Sequence, residues 1–171
     1  MKVTCSELKY NGRIIKVYFD TIEQDDKQIY REVIRHNGGA GVLVERDGKF
    51  AFVKQYRHPF GRDFLEIPAG MKNQNECASL TALRELEEEC GLVANEIQFI
   101  CEFAVSPGYT DEKIFLYYAN NFNKGKQNFD EDESLTVIWM QKEQAFEMLK
   151  NGEIKDAKTV IALQWYKLNK M

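Results

Sequence analysis

Histidine, cysteine and proline are scarce: the 171 residues hold two, four and three of them. His36 and His58 lie near no cysteine in sequence. Cys5, Cys77, Cys90 and Cys101 show neither CxxC nor Cys/His spacing. A zinc centre, a disulfide framework and a thiol–imidazole pair are therefore disfavoured, and the cysteines read as small buried apolar residues in a reducing cytosol. There is no excess of positive charge. The net charge is −4 and no basic stripe runs through the chain, which argues against a nucleic-acid partner. No apolar run is long enough to span a bilayer, and the opening MKVTCSELKYNGR lacks the apolar core of a signal peptide, so no membrane partner and a cytoplasmic location are expected. Repeats, low-complexity tracts and linkers are also missing.

What is present is enough apolar material, 44% of the residues, for one domain with a full core. Two β-rich runs, 13–20 and 29–35, flank a turn and predict an arm over residues 1–39 ahead of a main domain at 40–171. Runs 40–45 and 49–56 around Asp47-Gly48 predict a hairpin. Residues 55–62 read as a loop, 64–67 as a strand. A helix is expected over about 76–90, with Asn73 and Glu76 as a capping box and Gly91 as a left-handed C-cap. Strands follow at 96–103, 113–119 and 135–140, with a long polar loop at 120–134. Two helices close the chain, at 141–150 and after Asp156, the last carrying Val160, Ile161, Leu163, Trp165 and Leu168 inward. That order predicts an α+β fold, a mixed sheet between helices.

The stretch GMKNQNECASLTALRELEEECGL, residues 70–92, carries the chemistry. Four glutamates, Glu85, Glu87, Glu88 and Glu89, fall within five positions. At 3.6 residues per turn, Glu85, Glu88 and Glu89 share a face and repel one another. Cys77, Leu80, Leu83, Leu86 and Cys90 form the opposite, core-facing stripe. Such a cluster is either a solvated acidic surface or a site for a hard divalent cation, magnesium or manganese, that would activate water against a diphosphate. Glu87 points off the face. Arg84 would either contact phosphate or, with Glu88 as its i+4 partner, hold the glutamates in place; the second role is favoured. Glu76 sits where its charge meets the helix dipole. Gly70 would allow a sharp turn and leave the Ala69 carbonyl free to bind a cation.

The spacing G-x5-E-x7-R-E-L-x-E-E-x-G-L, from Gly70 through Glu76, Arg84, Glu85, Glu88, Glu89 and Gly91 to Leu92, matches in full the box of the Nudix hydrolases, which the chain thus resembles. Pro107, sixteen residues after Gly91 in SPGYTDE, resembles the marker of the ADP-ribose pyrophosphatase branch. REVIRHNGGAGVLV, FVKQYRHPFGRDFLEIPAG and NGEIKDAKTVIALQW are similar to that branch as well. The resemblance implies an α/β/α sandwich with an N-terminal strand arm, a homodimer, and one to three Mg²⁺ or Mn²⁺ ions. The Ala69 carbonyl, Glu85, Glu88, Glu89 and Glu133 would hold the metals. Glu131, in the acidic run Asp130-Glu131-Asp132-Glu133, would be the general base, although Glu131 and Glu133 could exchange roles. Arg57 would contact the diphosphate or terminal ribose, Arg31 would come from the partner subunit, and Pro107 and Gly108 would shape the loop near the sugar. Glu66 would pair with a box residue.

The resemblance implies hydrolysis of ADP-ribose to AMP and ribose 5-phosphate. Relatives that cleave GDP-mannose share the SPG loop, so a broader sugar-nucleotide pyrophosphatase is the nearest rival. A Nudix module that binds ADP-ribose without cleaving it is a rival of another class, but such modules typically lose box glutamates, and this chain keeps them all. A housecleaning activity on oxidised nucleoside triphosphates is disfavoured by the arm and Pro107. Where the arm of relatives stacks adenine, this chain has Arg13-Ile14-Ile15 after Tyr10-Asn11-Gly12, which leaves adenine versus guanine open.

Overall fold

The computed structural model describes residues 1–128 and 135–171. Its contacts divide the chain into two compact units: Met1–Gly38 with Phe103–Ile114, and Gly39–Glu102 with Phe115–Met171.

The first unit is an antiparallel three-stranded sheet of β1 (Lys2–Asn11), β2 (Lys16–Gln24) and β3 (Lys27–Arg35). β1 escapes the sequence reading because it is polar and exposed along its whole length and so carries little apolar alternation. The expected eight-residue turn shrinks to Asp25-Asp26, both at positive φ, a conformation that aspartate tolerates. Residues 105–112 are stitched to β3: Ile34 N–H donates to the Tyr109 carbonyl (2.7 Å), and Asp111 N–H to that of Ile34 (3.2 Å).

The second unit holds β4 (Gly39–Arg46), β5 (Lys49–Arg57), β6 (Arg62–Glu66), β7 (Ala69–Met71), α1 (Ala78–Cys90), β8 (Leu92–Ala94), β11 (Phe122–Lys124), β12 (Leu135–Gln141), α2 (Lys142–Lys150) and α3 (Ala157–Asn169), with β9 (Gln98–Ala104) as far as Glu102 and β10 (Lys113–Ala119) from Phe115. Its sheet runs β12-β5-β4-β10-β9, with β6 paired to β5 and β7 to β4. Alternation along β4 sorts the layers. Ala40, Val42 and Val44 pack with Ala78, Ala82 and Leu86 of α1. The other side of the sheet meets α2 and α3, where Phe50 stands edge-on to Phe146 and Tyr166, and Glu45 accepts from Lys142 (2.8 Å) and Tyr118 (2.6 Å). The fold is α+β, a sheet between helices.

Several expectations shift. The segment read as a loop at 55–62 is a continuation of β5, a 3-10 turn over His58–Phe60, and the start of β6. The polar stretch 120–134 contains β11, paired with β8. α1 begins at Ala78, with Cys77 at the N-cap and no side-chain cap, so Asn73 and Glu76 lie ahead of it. Its buried face is Ala78, Thr81, Ala82, Leu86 and Glu89, whereas Cys77 and Leu80 are exposed, as is Cys5 on β1. In α3, Leu168 is exposed and Tyr166 takes its place in the core. Small residues close against the sheet, so the packing seams pass through alanine and threonine, which a hydrophobicity pattern weights lightly.

Candidate active site

Three of the four box glutamates, Glu76, Glu85 and Glu88, surround one arginine. Arg84 Nη1 donates to Glu85 Oε1 (2.7 Å) and Glu88 Oε2 (2.8 Å), its Nε to Glu76 Oε1 (3.2 Å), and its Nη2 to the Met71 carbonyl (3.0 Å). The guanidinium therefore ties the segment before α1 to two of the glutamates on it. Burial alone would loosen its proton, but Glu76, Glu85 and Glu88 outweigh burial and hold that proton more tightly than water does. Glu76 also accepts from Asn73 N–H and Thr81 Oγ1, both at 2.9 Å. Hydrogen bonds from Arg84, Asn73 and Thr81 lower its pKa to about 2.

Glu89 is only 3% exposed, and its Oε2 accepts from Ala69 N–H (2.9 Å), which locks α1 to β7. Gly70, in β7, lies directly against Glu85: a Cβ there would overlap the Glu85 carboxyl group. The glycine is required by close approach rather than by a turn. At the far end of α1, Gly91 is left-handed (φ 64°), and its N–H reaches the Glu87 carbonyl. Residues 125–128 take up two more helix carbonyls: Asn128 N–H donates to Glu88 O (3.0 Å) and Gln127 Nε2 to Glu89 O (2.8 Å). Sequence reasoning misses Gln127, which no local pattern marks.

Glu85, Glu88, Glu89 and the backbone at Ala69 offer hard oxygen donors, the set that magnesium or manganese prefers. The glycine cradle holding the Glu85 carboxylate beside β7 fits such a centre. Among the described residues no three acidic, histidine or cysteine side chains converge on one point. Arg84 stands between Glu85 and Glu88 instead, which relieves their mutual repulsion. Cys90, beside Glu89, is a half-buried thiol whose pKa desolvation and that carboxylate push up to about 12, so it stays inert.

Arg57 lies on β5, paired with Glu66 of β6 through a two-pronged contact, Nε to Oε1 at 2.6 Å and Nη2 to Oε2 at 2.7 Å. Glu66 therefore pairs with Arg57 where a box residue was expected, and Lys158 of α3 is its second partner. Burial raises the Glu66 pKa, but Arg57 and Lys158 outweigh it and hold the group ionised. Arg57 borders a cleft of about 330 Å³, walled by Phe60, Phe64 and Lys158. The Glu89 charge also reaches it electrostatically. Arg31, Pro107 and Gly108 belong to the first unit, the box to the second. Arg31 Nη1 donates to the Tyr30 carbonyl (2.9 Å). Pro107 and Gly108 sit in the turn closed by Tyr109 N–H to Ser106 O, and a Cβ at Gly108 would meet nothing. Glu131 and Glu133 lie outside the described residues.

A family model described as NUDIX domain matches residues 35–163. A Bacillus methanolicus protein named methanol dehydrogenase activator is 38% identical, over 98% of this chain and 92% of that one. The ADP-ribose pyrophosphatase of Bacillus subtilis (strain 168) is 37% identical, with the same two coverages. The solved structure of an ADP compounds hydrolase superposes with a TM-score of 0.82 at 19% identity, over 99% of this chain and 96% of that one, a likeness of fold.

Proposed function

The chain belongs to the Nudix hydrolase family, and on that premise we propose that it hydrolyses the diphosphate of ADP-ribose to AMP and ribose 5-phosphate. The observation that carries the substrate is the 37% identity to an ADP-ribose pyrophosphatase across nearly the whole length of both chains. Glu85, Glu88, Glu89, the Ala69 carbonyl and Glu133 hold the divalent ions, magnesium or manganese, one to three in number. When bound, these ions neutralise phosphate charge and lower the pKa of water. Glu131 accepts the proton of the attacking water, with Glu133 able to take that role. Arg84, Glu76, Gly70 and Gly91 keep the carboxylates in register. Arg57 donates to a phosphate oxygen from the cleft it borders, and Pro107 and Gly108 shape the loop beside the sugar. Residues 1–39 act as the arm of a homodimer in which Arg31 reaches the partner's site, while 40–171 carry catalysis. Exposed free Cys5 and Cys77 suit the reducing cytoplasm. No described helix is long and apolar enough to cross a membrane.

The test is a substrate panel of ADP-ribose, GDP-mannose, UDP-glucose and diadenosine polyphosphates with magnesium, compared by kcat/KM. ADP-ribose is expected to lead by at least about tenfold, the scale of one net hydrogen bond. A lead for GDP-mannose would overturn the substrate, and tight binding with no AMP released would overturn hydrolysis. The Bacillus methanolicus relative suggests a second reading, an effect on a dehydrogenase. Adding the chain to a methanol dehydrogenase and following its rate tests it.

A further inference from the structure

The segment Asp156–Thr159 at the start of α3 has no part in the chemistry above, yet it ends on the site. Asp156 caps α3, its Oδ2 accepting from Thr159 N–H (3.0 Å) and Thr159 Oγ1 (2.6 Å). Thr159 Oγ1 in turn accepts from Ile67 N–H (2.8 Å), two residues before Ala69. Asp156 Oδ1 accepts from Lys158 Nζ (3.0 Å), and Lys158 donates to the same Glu66 oxygen that Arg57 Nη2 holds. The Glu66 side chain is 3% exposed and that of Lys158 13%, against 37% for Arg57. All four charged side chains line the cleft, and the arginine is the most exposed of Arg57, Glu66 and Lys158.

A buried carboxylate must be compensated, and here two cations share the task. With Lys158 in place the four charges, Arg57, Lys158, Glu66 and Asp156, sum to zero. Without it they sum to −1, and Arg57 is left as the sole partner of a buried anion beside a cleft meant for a diphosphate. We propose that Lys158 is a positioning residue that, through Glu66, keeps the Arg57 guanidinium aimed into the cleft and electrostatically available to a substrate phosphate. This rests on the reading of Arg57 as a phosphate contact.

Steady-state kinetics on ADP-ribose with magnesium test it, alongside melting temperatures. K158M is expected to lower kcat/KM at least tenfold, mainly through KM, because an anion is repelled before chemistry begins. K158R should regain most of the loss. E66Q/K158M should exceed K158M alone, since the neutral amide introduced by E66Q needs no second cation; that non-additivity marks a coupled pair. R57A checks the underlying reading. If R57A loses activity while K158M keeps its kcat/KM, even with a lower melting temperature, Lys158 is merely structural and the proposal falls alone. If neither variant loses activity, the reading of Arg57 falls and takes the proposal with it. If K158M does not fold, the comparison of E66Q/K158M with E66Q decides: equal kcat/KM supports the coupling, and a further tenfold loss overturns it.

Discussion

Gly70 is the position where one methyl group has the least room. A Cβ there would overlap the Glu85 carboxyl group, and β7 has little freedom to retreat because Ala69 N–H is held by Glu89 and Gly70 is paired with Ala40. G70A is therefore expected to push Glu85 off its place and reduce kcat by roughly 10²-fold, the scale of an ångström-sized misplacement at a reacting centre. Circular dichroism should show the fold retained; an active G70A would mean that Glu85 is free to move without consequence. At this scale the sequence is legible where partners are near neighbours. Arg84 and Glu88, four apart, form the pair that helical periodicity names. Glu66 and Lys158, 92 residues apart, cannot be paired by any spacing argument, and for that reason the sequence points Glu66 at the wrong neighbour.

At the scale of the element, α1 is anchored by interactions that lie outside the helix. Asn73 and Glu76 do bond to each other, Asn73 N–H to Glu76 Oε2 and Glu76 N–H to Asn73 O, but they form a turn two residues upstream of the helix start. The capping-box letters are present and the register is not, because Glu76 is drawn off by Arg84 and Thr81. The consequence is a pH dependence. The folded pKa of Glu76, about 2, lies below its ordinary value of 4.5. A depressed carboxylate pKa gives stability that is complete above about pH 4.5 and fades as the pH falls towards 2. E76Q should lower stability near neutral pH by roughly 1–3 kcal/mol, the cost of losing a charged hydrogen-bond acceptor. Its melting temperature should approach that of the unaltered chain as both are acidified through that window. A gap that stays constant from pH 7 to pH 2 would show that the Glu76 charge contributes nothing.

For the whole molecule, the second unit is largely readable because its strands β4, β5, β10 and β12 are apolar runs bounded by turn residues. The first unit is less so. Thr110 bridges to Ile34 across 76 positions, so residues 103–114 join Met1–Gly38 through pairings that no local pattern announces. Its sheet also leaves Val3, Leu8, Tyr10, Phe19 and Tyr30 exposed, more apolar surface than an isolated arm would keep in water. Covering that surface with a second copy is the homodimer proposed above, with Arg31 crossing to the partner's site. In that dimer, Arg31 and Glu89 of one functional site come from different chains. R31A and E89Q should each be nearly inactive alone. Co-expressed with distinct tags, half the dimers would be mixed, and each would hold one site with both residues intact, restoring roughly a quarter of the activity. Isolating the mixed dimer by tandem affinity and measuring ADP-ribose turnover checks this. Light scattering should report twice 19.9 kDa for the unaltered chain. A mixed dimer no more active than its parents would place Arg31 outside the partner's site.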